Sequence, residues 1–144
     1  MWLFRSATPR QVDLGLLILR VALGVVFIAH GSQKVFVMGL GGVTAGFTQM
    51  GVPMPAITAP LVALVELGGG IALVLGLLTR LAALGIAVDM VGAMVLVHLK
   101  NGFFLPTGYE FVLLLCLLAV TLLVTGAGRY SIDARIGERT RQAD

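Results

Sequence analysis

Apolar residues run through this chain in long blocks, and the few polar residues inside those blocks stand out singly. A helix needs about 20 mostly apolar residues to cross the hydrocarbon of a bilayer. The first block spans about 14–37, with Arg20 inside it and His30, Gln33 and Lys34 toward its far end. From Ala56 to His98 the chain is almost continuously apolar, broken by Glu66, Asp89 and the pair Thr79-Arg80. One helix of that length would be about twice as long as the hydrocarbon is thick, so the segment must fold back. Thr79-Arg80 is the expected tip, which places spans at about 56–78 and 81–98. A last span covers about 109–125 and ends at the breaker Gly126-Ala127-Gly128. Between the first two spans, 38–55 is rich in glycine and carries Val43, Phe47 and Met50 at helical spacing. That pattern predicts a short interfacial or re-entrant helix.

Composition turns this pattern into a class. The chain has 144 residues, 58% hydrophobic and 12% charged, whereas soluble domains carry about 25% charged residues. The expected fold is all-α: an integral membrane four-helix bundle forming a single domain over 1–144, with a tail at 126–144. An N-terminal apolar run can be a signal peptide, but here an arginine interrupts it and no A-x-A-like site follows, so a retained span is expected. The single cysteine, Cys116, excludes disulfide frameworks, CxxC pairs and cysteine-based zinc sites. No GxGxxG follows a strand, which removes an intrinsic dinucleotide or flavin fold.

The net charge of +3 comes largely from arginines near the termini and reports orientation rather than nucleic-acid binding. With an even number of spans, Arg5, Arg10, Arg80, Arg129, Arg135, Arg139 and Arg141 share one side, against Lys34 and Lys100 on the other. The positive-inside rule then puts both termini in the cytoplasm.

Charges inside a bilayer are the strongest chemical signal here, because each costs about 3 kcal/mol at the membrane centre. A rise of 1.5 Å per residue places Arg20 about 10 Å deep, Asp89 about 12 Å and Glu66 about 18 Å, near enough to form one buried polar site. One arginine neutralises one carboxylate, and the other carboxylate is then expected to hold or share a proton. Such a triad can lock the bundle, relay protons, or contact a quinone or another substrate. A second polar layer gathers His30, Lys34, His98, Asn101 and Glu110 at the opposite face. Two histidines on facing helices are what a haem would need. Both end their spans without an orienting partner in sequence, so haem is disfavoured and no metal site is expected. Gly68-Gly69-Gly70, with Gly24, Gly85 and Gly92, permits close helix approach.

These residues fall in an order that resembles the DoxX family of small bacterial membrane proteins. The resemblance runs through LRVALGVVFIAHGSQKVF from Leu19, LVALVELGGGIALVLGLLTRLAALGIA from Leu61, HLKNGFF from His98, YEFVLLLCLLAV from Tyr109 and GAGRYSID from Gly126. It covers most of the chain from about Leu14 to Asp133. It implies a four-helix bundle in the bacterial cytoplasmic membrane and an association with redox chemistry. Relatives include a subunit of a thiosulfate:quinone oxidoreductase and a partner of superoxide dismutase and a sulfurtransferase in a membrane complex. The matching polar landmarks are Arg20, His30, Lys34, Glu66, His98, Asn101 and Glu110; Asp89 is not among them. No catalytic residue carries over. The expected function is a subunit or partner of a membrane redox system, with quinone as the candidate ligand, soluble redox enzymes as candidate partners and self-association open. The alternatives are a small proton-coupled carrier and a scaffold for soluble enzymes docked on the arginine-bearing tail.

Overall fold

Thr8 and Gln11 cap each other ahead of Pro9, and this capping box starts a helix that the following apolar block sustains to Ser32 (α1, Pro9–Ser32). The computed structural model of the chain describes residues 4–143, the last three by backbone alone. The side chain of Arg141 and the end of the tail therefore lie outside the described residues. After α1 come a π-helical stretch at Gln33–Met38 and a short helix α2 (Gly39–Met50). Then follow α3 (Pro55–Leu75), α4 (Thr79–Ala93) with a second π-helical stretch at Met94–His98, α5 (Glu110–Thr125) and α6 (Ile132–Ala143). Among the described residues there is no strand.

The bundle is held by two close pairs, α1 against α3 and α4 against α5, joined by α3 against α4. Glycine makes the first pair possible. A Cβ on Gly24 would lie 2.7 Å from the Gly70 carbonyl oxygen, and one on Gly70 would lie 2.7 Å from the Ile28 nitrogen. The two backbones touch there with no side chain between them. Leu23, Phe27, Leu73, Ile86, Leu115, Ala119 and Leu122 fill the interior, while Ile18, Leu64, Leu81, Val88, Leu117 and Val124 point outward. An exterior this apolar suits lipid, not water.

The α3–α4 break falls earlier than the Thr79-Arg80 tip expected above. Gly76 ends α3 in the left-handed conformation, with its N–H on Leu73 and that of Leu77 on Ala72, and Thr79 already belongs to α4. The connection is Gly76 to Leu78. The expected short helix between the first two spans is α2, which packs against α3 and buries Val43. Helix α1, the α3–α4 turn, the end of α5 and α6 meet at one end of the bundle, termed here the terminal end.

Candidate functional site

The register set by glycine decides which polar groups meet. Gly31 lies against Leu67 with no room for a side chain between them. One turn further along α1's direction, Lys34 faces Glu66, and its Nζ donates to Glu66 Oε2 at 2.6 Å. The Glu66 side chain is 6% exposed and that of Lys34 19%. Lys34 sits in the π-helical stretch Gln33–Met38, where the extra residue per turn redirects side chains. Asp89 on α4 lies within electrostatic reach of both Glu66 and Lys34. Its Oδ2 is buried without a hydrogen-bond partner among the described residues. One lysine therefore faces two carboxylates.

Arg20 is not part of this cluster, contrary to the triad expected from depth alone. Its Nη1 donates to the carbonyls of Leu73 at 2.9 Å and Val74 at 3.4 Å, and its Nη2 to that of Tyr130 at 2.5 Å. Leu73 is seven residues beyond Glu66 on α3, roughly 10 Å along the axis. The carboxylate nearest in charge to Arg20 is that of Asp133. Asp133 in turn accepts from the backbone N–H groups of Leu78 at 2.7 Å and Thr79 at 2.9 Å, capping the start of α4. Its own N–H donates to Gly76 at 2.9 Å, and Asp13 accepts from the Arg129 N–H at 2.9 Å. Arg20 and the segment from Arg129 to Asp133 thus form a clasp across the terminal end. The guanidinium gives the Leu73 carbonyl a second donor beside the Gly76 N–H and reaches that of Val74 at the end of α3.

The expected second polar layer separates too. Lys34 leaves it for Glu66. His98 Nδ1 meets the Thr107 carbonyl at 3.0 Å, Asn101 donates to the same oxygen at 3.2 Å, and Glu110 accepts from the Leu105 N–H at 2.7 Å. These three knit the α4–α5 loop, where Phe103 also meets Phe104 and Tyr109 edge to face. His30 is exposed on α1. Among the described residues, no group of three His, Cys, Asp or Glu side chains is disposed to hold a metal. Two surface grooves, of about 440 and 740 Å³, lie at the terminal end beside α6 and the α3–α4 turn, away from the Lys34–Glu66 pair.

Bilayer-length apolar helices around a buried ion pair define a multi-pass membrane protein with an intramembrane polar site. The chain belongs to the DoxX family, whose model matches residues 15–99, and it is a protein of the bacterial inner membrane. It is 33% identical over 124 residues to a Bacillus subtilis protein named "Putative oxidoreductase CatD", covering 86% of this chain and 88% of that one. It is 35% identical over 134 residues to the membrane protein Rv3486 of Mycobacterium tuberculosis (84% and 80% covered). Against the inner membrane protein YqjF of Escherichia coli it is 32% identical over 132 residues (88% and 95% covered). No solved structure matches.

Proposed function

We propose that this chain is a membrane subunit or partner of a redox system, in which Lys34, Glu66 and Asp89 hold the polar head of a lipid-soluble redox ligand of the quinone class and exchange protons with it. The observation that carries the reading is the arrangement of one cation and two carboxylates inside bilayer-length helices. Intramembrane ionisable groups of this kind mark ligand sites and proton relays far more often than ornament. The partial exposure of Lys34 gives a ligand in the bilayer a sideways approach. The name of the Bacillus relative agrees with redox work. Reduction of a quinone to a quinol takes up two electrons and two protons; the electrons come from a partner enzyme, and the carboxylates pass protons to the ring oxygens.

Protein purified gently from native membranes is expected to release quinone on organic extraction. Lys34→Met and Glu66→Gln should each lower the quinone retained by about tenfold, the loss of roughly one charge-assisted hydrogen bond. Wild-type protein without quinone, and no difference in titrated quinone affinity between it and the variants, would remove the reading. The surplus carboxylate also makes a spectroscopic prediction. A carboxylic-acid C=O band should appear in the infrared spectrum and be altered by Asp89→Asn and Glu66→Gln; a spectrum that neither variant changes contradicts a shared proton.

A second reading, a small proton-coupled carrier, draws on the same unpartnered Asp89 Oδ2. Proton flux into liposomes that stops with Asp89→Asn, in protein that binds no quinone, would favour it.

A further inference from the structure

We propose that α6 is a membrane-surface helix that binds the anionic leaflet at the terminal end of the bundle. Arg129, Arg135 and Arg139 meet lipid phosphates, and Ile132 and Ile136 enter the acyl boundary.

The height of the helix is set by covalent and hydrogen-bonded attachment. Asp133 is tied to Gly76, Leu78 and Thr79, and Ser131, buried, caps the helix by accepting from the Ala134 N–H. The first turn of α6 therefore lies at the level of the α3–α4 connection. Leu78 and Leu81, 61% and 64% exposed, face outward at that same level and offer apolar surface to the edge of a bilayer.

The composition of α6 changes from that of every helix before it. Ile132 and Ile136, one turn apart, are 36% and 52% exposed. Arg135 and Arg139 keep the same one-turn spacing on the flank of that apolar strip, and a helix lying in an interface places its arginines there so that the heads can rise to the phosphates. Both oxygens of Asp133 are committed to backbone N–H groups, which leaves Glu138 as the remaining acid of the helix. The groove of about 440 Å³ beside it is lined by Arg129, Ala134, Gly137 and Glu138. The other, of about 740 Å³, has Arg80 on its wall, and the Arg80 guanidinium also donates to the Val124 carbonyl. Arg5 and Arg10 are exposed at the same end. This belt of guanidinium groups fits an anionic phospholipid surface, which the bundle itself keeps at contact distance.

The test is backbone hydrogen exchange over residues 132–140 of the full chain. The protein is placed in nanodiscs of phosphatidylcholine alone, or with about one-third phosphatidylglycerol. Protection should rise with phosphatidylglycerol and fall at about 1 M salt, where the screening length is about 3 Å. Arg135→Gln and Arg139→Gln should each lower protection in the anionic discs by about fivefold. As a second arm, the indole of an Ile136→Trp variant, in a Trp2→Phe background, should be quenched by brominated acyl chains in anionic discs. Protection equal in both lipids, indifference to salt, or an unquenched indole would each overturn the proposal. The last result would leave α6 free for a soluble protein instead.

Discussion

A lysine and a glutamate in contact inside the bilayer stabilise each other only as a pair. Removing one partner strands a charge in a medium that penalises it heavily, whereas removing both leaves neutral packing. Glu66→Gln or Lys34→Met alone should therefore destabilise the purified protein by about 3 kcal/mol, and the double variant by clearly less than the sum. Thermal unfolding in detergent measures this, and strict additivity would show that the two side chains do not act as a unit. The composition of this site was only partly legible in the sequence. Glu66 and Asp89 announce themselves as charges in apolar runs. Lys34 reads as a span-end residue, because nothing in its neighbourhood signals the π-helical stretch or the Gly31–Leu67 approach that turns it toward Glu66. Arg20 misleads for a different reason. Its partners are backbone carbonyls, which every residue possesses, so no sequence pattern distinguishes them from the carboxylates that depth suggests.

Among the elements, the α1–α3 pair depends on the glycines most unevenly. A methyl at Gly70 would press on the Ile28 nitrogen and the Gly24 carbonyl oxygen, at 2.7 and 2.8 Å, neither of which can move without separating the helices. At Gly69 the nearest atom is the flexible end of Ile86, at 3.3 Å, and at Gly68 a Leu64 methyl at 4.0 Å. Alanine should therefore be most damaging at Gly70, mild at Gly69 and harmless or slightly stabilising at Gly68, where it removes backbone freedom worth about 1 kcal/mol. Melting temperatures of the three single variants would check the order, and equal effects would refute it. The run Gly68-Gly69-Gly70 is visible as a packing signal, but which glycine carries the contact depends on helix rotation, and a three-residue run points in every direction. Span existence was easier to read for α1, α3 and the α4 segment, where apolar length alone decides it; α5 is as apolar but has only 16 residues. The turn was missed by two to three residues because Gly76 and Asp133 define it jointly, and they lie far apart in the chain.

For the whole molecule, the two ends are chemically unlike. The terminal end carries the arginines and the clasp; the other carries the aromatic loop around Phe103 and Phe104, with Lys100 beside it. We expect the terminal end to face the cytoplasm, as the arginine distribution requires. A reporter active only in the periplasm should work when inserted at Lys100 and fail at the C-terminus, and the reverse pattern would invert the topology.

The clasp has a consequence for how the protein is made. Its last pieces, Tyr130 and Asp133, are synthesised after every span, yet they complete contacts to Arg20 in the first span and to the hairpin between the second and third. A nascent chain that ends at Thr125 already contains α1 to α5, but the α3–α4 hairpin still has bare amides and Arg20 Nη2 lacks its Tyr130 acceptor. Stop codons just after Thr125 should therefore yield chains that insert and are then degraded, whereas stops after α6 has begun its second turn should accumulate. Pulse-chase labelling of the two truncations would show it. On that expectation, the segment from Tyr130 to Asp133 acts as a latch that can close only after α5 has been made.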